Sequence, residues 1–116
     1  CKMLVNKGKY NEEIIISENS FNLMVDKYTN AYPDPNEPFT FPDLEGYYIG
    51  FTFSVLENQE VDGTGASKGI FGWSGYHNTH FWIDTEKDIY AIFLSRSIEF
   101  DFKILNGLKK AVYSTY

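Results

Sequence analysis

Hydrophobic positions near the start of the chain repeat with the period of a helix. One apolar stripe is formed at spacing i, i+3, i+4, i+7 by Phe21, Met24, Val25 and Tyr28. Ser17 precedes this stripe as an N-cap residue, and Glu18 occupies the first turn, where the helix dipole favours a negative charge. The pattern predicts a short helix over 18–28. Residues 1–7 are interpreted as the tail of another helix, ended by Gly8.

Further along, the pattern changes to a period of two, which is typical of strands. Apolar side chains alternate with small or polar ones over 47–55, so this segment is predicted to be one strand. A polar, glycine-rich loop follows over 58–69. Three more strand-like runs cover 70–77, 79–83 and 89–95. Residues 84–88 are polar and of hairpin length, while 89–94 is apolar on both faces and predicts a central strand covered on both sides.

A loop precedes this group of strands, and a helix follows it. Residues 29–45 contain all four prolines and are predicted to be a loop. The closing segment 97–113 predicts a helix with Ser97 as its N-cap and a wide apolar face that packs on a sheet. We therefore expect one α+β domain over 1–116, with an antiparallel β-sheet and N-terminal and C-terminal helices packed on it.

Composition and charge narrow the classes of function. The chain has 116 residues, 43% of them hydrophobic, and a formal net charge of −6. That charge argues against nucleic acid or an anionic membrane as the main partner, because both attract clustered Lys and Arg. No apolar run approaches the roughly 18 residues of a membrane span. The single cysteine, Cys1, cannot form an internal disulfide, and its place at the start suggests a piece cut from a longer protein.

Candidate chemistry concentrates in the segment 69–82, which is rich in glycine, aromatic residues and histidine. Glycine inside a strand often marks a bulge or a place where a ligand comes close to the backbone. The segment therefore predicts a strand that lines a cleft. An alternative is equally compatible with the pattern: Trp73 and Trp82 are core aromatics, and the glycines only relieve crowding.

Neither a metal site nor a complete catalytic set is visible in the residues themselves. His77 and His80, three positions apart on a strand, point to opposite faces and do not chelate zinc well together. Ser74 lies in W-S-G-Y rather than in the G-x-S-x-G of a nucleophile elbow. We expect no metal and no cofactor.

Several segments match a known family in the right order. The chain has F-G-W-S-G-Y and T-H-F-W-I-D within 70–84, followed by an apolar strand that ends F-L-S-R at Arg96. Residues 2–8 have the sequence K-M-L-V-N-K-G, and 105–113 ends in L-K-K-A-V-Y. Together these segments resemble the C-terminal part of serine β-lactamase-like and penicillin-binding proteins, most nearly the esterase-type, class C-like branch.

The resemblance implies a site and roles for its residues. In that family an S-x-x-K motif supplies the nucleophile, and a K-T-G-type triplet lies on a sheet strand. The triplet and the residues after it imply substrate contacts from Trp73, Ser74, Gly75, His77 and Asn78. The backbone N–H of Tyr76 is implied to donate to the oxyanion of the acyl-transfer intermediate. Trp73 replaces the triplet lysine that would hold a β-lactam carboxylate, which favours an esterase or peptidase.

No S-x-x-K motif occurs in this chain. We therefore expect a piece that is inactive alone and that works with the missing N-terminal part of the same domain on a small-molecule ester, amide or peptide. Apolar faces left uncovered would favour self-association. Two other hypotheses remain: a noncatalytic interaction domain whose aromatic strand binds a peptide or glycan, and a self-contained α+β domain with a coincidental likeness to hydrolases.

Overall fold

The computed structural model describes residues 1–30 and 44–116. In these residues the helices are α1 (Lys2–Val5), α2 (Glu18–Val25), α3 (Gln59–Asp62) and α4 (Phe102–Tyr113). A small hairpin is formed by β1 (Lys9–Tyr10) and β2 (Glu13–Ile14). The main sheet contains β3 (Thr29–Asn30), β4 (Tyr47–Ile49), β5 (Ser54–Leu56), β6 (Phe71–Gly75), β7 (Thr79–Asp84) and β8 (Ile89–Phe93). Most of the predicted proline-rich loop lies outside the described residues.

The six strands of the main sheet follow one another in chain order, and every neighbouring pair is antiparallel. The β6–β7 ladder runs from Phe71↔Ile83 to Gly75↔Thr79. The predicted α+β fold, an antiparallel sheet with helices at both ends of the chain, is confirmed. Among the described residues, no helix has the length and apolar character that crossing a bilayer would require.

Each face of the sheet has its own apolar core, because successive side chains of a strand point to opposite sides. One core joins the sheet to α4 and contains Leu56, Ile70, Trp82, Leu105 and Tyr113. The other lies under α1 and α2 and contains Val5, Phe21, Phe53, Phe71 and Ile83. Burying a large apolar side chain stabilises a fold by about 1.5–3 kcal/mol, so the two cores hold the helices on opposite faces.

The single strand predicted over 47–55 is wrong: this segment forms two strands joined by a tight turn. The Gly50 amide donates to the Phe53 carbonyl at 2.8 Å, which closes the turn between β4 and β5. A Cβ on Gly50 would lie 2.5 Å from the Met24 carbonyl oxygen, so only glycine lets the turn pack against the end of α2. The predicted loop 58–69 contains α3, whose N-cap is Asn58.

The predicted helices occur at the predicted places in the chain, but they are shorter than predicted. Ser17 caps α2 as predicted, since its hydroxyl accepts from the Ser20 amide at 3.1 Å, but α2 ends at Val25. The closing helix begins five residues later than predicted. Asp101 provides its cap and accepts from the Lys103 amide at 2.8 Å, whereas the Ser97 hydroxyl donates to the Glu99 carbonyl.

Strand β8 is not the covered central strand that its sequence predicts. Among the described residues it forms one end of the sheet and pairs only with β7. Tyr90 and Ile92 point away from α4 and are half exposed, at 47% and 55%. The run is apolar on both faces as predicted, but within the described residues its outer edge is unpaired and the face with Tyr90 and Ile92 is only partly covered, by α1. Self-association stays a prediction.

Candidate active site

A cavity lies beside β6 at the point where the pairing of β6 with β5 ends. Strand β5 pairs with only the first two residues of β6, and the last pair is Ser54↔Gly72. Gly75 and Tyr76 lie beyond this pair, next to a cavity of about 460 Å³. Its walls come from β6, from Trp82 and Phe81 on β7, and from the start and middle of α4. The side chains on this side are Phe102, Leu105 and Lys109 of α4 and Phe100, which precedes the helix.

Gly72 explains why a glycine-rich strand borders this cavity. A Cβ at this position would lie 2.0 Å from the Phe81 carbonyl oxygen, so a side chain would push β6 and β7 apart. Trp73 and Trp82 both line the cavity, but Trp82 is buried in the core and Trp73 is partly exposed. The segment is therefore both a cavity wall and, at Gly72 and Trp82, a crowded part of the core.

Tyr76 follows directly after β6 at the cavity. Its side chain is 80% exposed, so its ring has little packing to hold it in place. In the described part of the chain no protein acceptor receives the Tyr76 backbone N–H. This amide is therefore available to a bound molecule. Its role as an oxyanion donor stays a prediction.

The structure brings part of the predicted substrate-binding set together. Trp73, Ser74 and Gly75 line the cavity with Tyr76, whereas His77 and Asn78 do not line it. The His77 ring is exposed, and the His77 carbonyl accepts from the Ser97 amide at 3.2 Å. Asn78 is only 1% exposed and adopts a left-handed backbone conformation with φ +60° in the turn. The predicted substrate contacts stay a prediction, and of these residues only 73–76 line the cavity.

Ser74, His80 and Asn78 form a chain of hydrogen bonds that the sequence analysis missed. Ser74 Oγ lies 2.7 Å from His80 Nδ1, and His80 Nε2 lies 2.8 Å from Asn78 Oδ1. The Asp101 amide also donates to Asn78 Oδ1, at 3.3 Å. Because an amide oxygen only accepts, His80 carries its proton on Nε2, and Nδ1 is left to accept from the Ser74 hydroxyl.

The surroundings of His80 favour the neutral form of its imidazole. Burial lowers the pKa of His80 below its usual value, and the positive charge of Lys109 lowers it further. Aromatic rings surround the imidazole, with Phe93, Phe100 and Phe102 at centroid distances of 6.2, 5.6 and 6.1 Å. A neutral imidazole with a free Nδ1 is able to accept a proton from a hydroxyl. The turn between β6 and β7 was the available signal, because a hairpin closing at Gly75 and Thr79 places Ser74 opposite His80.

A second polar group lies at the other end of the cavity. Lys109 Nζ donates to the Tyr47 hydroxyl at 2.6 Å, and that hydroxyl donates to Asp62 Oδ1 at 2.6 Å. Asp62 also accepts from the side chain and the amide of Thr64. Burial lowers the pKa of Lys109 to about 8, although the Asp62 carboxylate opposes this change. Burial and the Asp62 charge raise the pKa of Tyr47.

Lys109 lies on the apolar side of the closing helix, and its polar partners were not predicted from the sequence. They come from β4 and α3, 62 and 47 positions earlier in the chain. No periodic pattern relates such distant residues. The described residues also bring no three His, Cys, Asp or Glu side chains together as metal ligands.

Comparison with known proteins agrees with the architecture. No protein-family model matches the chain, and no curated protein matches it. Among solved structures, the chain is similar to EstCE1, described as a hydrolase with promiscuous acyltransferase activity, with a TM-score of 0.73 and 20% sequence identity. The match covers 97% of this chain and 27% of EstCE1, so the chain spans about a quarter of that enzyme. The chain has the fold of part of this hydrolase, and the resemblance drawn from its sequence is confirmed at the level of the fold.

Proposed function

We propose that this chain forms one wall of the acyl-transfer pocket of a β-lactamase-like serine hydrolase, with the main nucleophile supplied by other polypeptide of the same domain. The observation that carries the proposal is the position of Tyr76, which lines a cavity of about 460 Å³ and whose backbone N–H has no acceptor in the described part of the chain. The fold shared with part of a hydrolase that has acyltransferase activity supports the same class of chemistry.

The chemistry of acyl transfer explains why a fixed amide is useful here. Attack on an ester or amide produces a tetrahedral intermediate with a negative oxygen, which is stabilised by N–H donors at about 2.7–3.1 Å. The backbone of β6 is held by its ladder to β7. An N–H that follows such a strand needs no reorganisation when the charge develops. Tyr76 is therefore proposed as an oxyanion donor through its backbone rather than its ring.

The lining of the cavity indicates the class of substrate. The walls are mostly apolar and aromatic, with Trp73, Phe100 and Leu105 among them. The positive side chain in the lining, Lys109, is already hydrogen-bonded to Tyr47 and close to Asp62. No cation occupies the first position of the triplet, since that residue is Trp73. Esters and amides with an apolar acyl group fit this lining better than substrates with a free carboxylate.

Two experiments test the proposal. The purified chain is expected to show no steady-state hydrolysis of p-nitrophenyl butyrate or nitrocefin above the buffer rate, because it has no S-x-x-K motif. Steady-state turnover by the chain that persists after every serine is replaced would contradict the proposal. In the complete protein, Tyr76→Pro removes the amide and should lower kcat by about 10²–10³-fold. Tyr76→Ala keeps the amide and is the matched control.

A noncatalytic interaction domain is the second candidate, favoured by the exposed aromatic rings of Tyr76 and Trp73 beside the cavity. Such rings bind peptides and glycans as well as acyl groups. The presence of an S-x-x-K motif in the complete protein separates the candidates, since a domain that only binds has no use for it. Peptide or glycan binding without acylation of the complete protein would favour this second candidate.

A further inference from the structure

We propose that Ser74 is itself a nucleophile, activated by His80 and oriented through Asn78, and that it accepts apolar acyl groups from activated esters in the cavity. This inference goes beyond the proposed function, because it does not require polypeptide outside this chain. It assigns a reactive serine to residues that neither the sequence motifs nor the structural match identified.

The geometry has the three parts that serine activation needs. The Ser74 hydroxyl lies within hydrogen-bond distance of an imidazole nitrogen, at 2.7 Å. The opposite nitrogen of His80 is held by Asn78 at 2.8 Å, which fixes both the ring orientation and the tautomer. Asn78 is in turn held by the Asp101 amide at 3.3 Å. A nucleophile, a base and an orienting group in hydrogen-bond contact are the signature of an activated serine.

The position of Ser74 gives this group access to a substrate. Ser74 lies on β6 opposite His80 on β7, and the serine lines the cavity. His80 is buried at 2% exposure and does not belong to the lining, so the hydroxyl and not the base meets the incoming ester. The aromatic and aliphatic side chains around the hydroxyl favour a short apolar acyl chain over a charged one.

The reaction balances without any additional reagent. Ser74 Oγ attacks the ester carbonyl carbon, its proton moves to His80 Nδ1, and a new C–O bond forms. The tetrahedral intermediate then collapses, the bond to the leaving oxygen breaks, and the proton on His80 passes to the departing alcohol or phenol. The products are an acyl ester of Ser74 and the free alcohol, with His80 again neutral.

Deacylation is expected to be slow. Hydrolysis of the acyl-serine needs a water molecule next to His80, but Phe93, Phe100 and Phe102 surround the imidazole. The acyl group would itself fill the apolar space beside Ser74. The chain should therefore be acylated once and not turn over, which is compatible with the absence of steady-state hydrolysis expected above.

A second serine in the same cavity serves as an internal control for the reactivity of Ser74. Ser54 lines the same cavity, but its hydroxyl donates to the Gly72 carbonyl at 3.2 Å and has no imidazole as its partner. Ser54 and Ser74 would therefore meet the same reagent in the same cavity. Ser54 is also more buried than Ser74, at 8% exposure, so the effect of His80 itself is measured with the His80→Gln variant below.

The test is stoichiometric acylation, followed by mass spectrometry and peptide mapping. With p-nitrophenyl butyrate we expect a burst of one equivalent of nitrophenolate and one butyryl group on Ser74, with Ser54 unmodified. Ser74→Ala should abolish the burst. His80→Gln retains a polar side chain without the base and should slow acylation by about 10²-fold or more. Ser114→Ala, at the exposed end of α4, is the matched control and should acylate at the original rate.

Three results would overturn the proposal. They are no acylation of a folded chain, equal modification of Ser54 and Ser74, or a rate at Ser74 that His80→Gln leaves unchanged. Peptide mapping of the unmodified sequence keeps the test decisive even if the Ser74 variant fails to fold. None of these outcomes contradicts the proposed oxyanion role of Tyr76, whose test is the kcat of the complete protein.

Discussion

Lys109 Nζ lies 2.6 Å from the Tyr47 hydroxyl, and the two side chains connect the last helix to a strand 62 residues earlier. Asp62 completes the group, with its carboxylate 4.0 Å from Nζ. The side chains of Lys109 and Asp62 are only 5% and 4% exposed, so the charges meet in an environment with little water. This contact fixes α4 over the sheet and thereby sets the width of the cavity that separates it from β6.

Removing the buried amine should destabilise the fold. Lys109→Ala removes the donor to the buried Tyr47 hydroxyl, and leaving a buried polar group without its partner costs about 1–3 kcal/mol. Chemical denaturation followed by circular dichroism measures the change in the free energy of unfolding. Lys110→Ala is the matched control on the exposed side of the same helix and should change stability by less than about 0.5 kcal/mol. Equal effects of the two substitutions would show that the buried contact does not hold α4.

The stability of the chain should rise from neutral to moderately alkaline pH. The pKa of Lys109 is lowered to about 8 in the fold, below its ordinary value of 10.5. Between these two values the unfolded chain binds more protons than the folded one, so raising the pH favours the folded state. We expect a gain of about 1–2 kcal/mol in the free energy of unfolding between pH 7.5 and 9.5. Lys109→Met should remove this gain, and an unchanged pH profile in that variant would contradict the assignment.

Acidification should weaken the fold through His80. Its pKa is lowered by burial and by Lys109, so the folded chain resists the protonation that the unfolded chain accepts. The contribution of His80 is present above its ordinary pKa of about 6.5 and is lost as the pH falls below that value. Thermal unfolding at pH 7 and pH 5 should show a smaller loss in His80→Gln than in the unmodified sequence. A larger loss in the variant would mean that the imidazole is charged in the fold.

Replacement by alanine should lower the stability of the fold at Gly72 and raise it at Gly107. Gly72→Ala places a Cβ 2.0 Å from the Phe81 carbonyl oxygen, so β6 and β7 must separate. We expect a loss of about 2–3 kcal/mol, as for other overpacked sites. Gly107 lies inside α4 with no atom within 4 Å of an added Cβ, so Gly107→Ala should stabilise the helix by about 0.5–1 kcal/mol. A mild effect at Gly72 would show that the two strands have room between them.

Local patterns predicted the parts of the fold that depend on near neighbours. The last three strands follow from short strand-like runs, and the Ser17 cap follows from its place before the helical stripe. Both patterns act over a few residues. The strand predicted over 47–55 failed because alternation continued through a turn, where Phe51 is exposed, and because the contact of Gly50 with Met24 is tertiary. The late start of α4 has a similar cause, since Asp101 rather than Ser97 caps the helix.

The candidate site was predicted only in outline for the same physical reason. The family resemblance implied the triplet at residues 73–75 and the amide of Tyr76. The structure places these four residues in the cavity wall, and the role of the amide stays a prediction. The pairing of Ser74 with His80 depends on the register between two strands, and that of Lys109 with Tyr47 depends on the docking of a helix. Such contacts are set by the packing of distant segments, and the periodicity of apolar residues carries no information about that packing.

Hydrogen exchange at the Tyr76 amide tests the central claim most directly. Exchange measured by nuclear magnetic resonance on the purified chain compares this amide with that of Ile83, which lies in a central strand between β6 and β8. If the Tyr76 N–H faces the cavity without an acceptor, it should exchange at nearly the rate of an unprotected amide while Ile83 stays protected. Protection of Tyr76 equal to that of Ile83 would contradict the account, because an amide already bonded within the protein cannot stabilise an oxyanion.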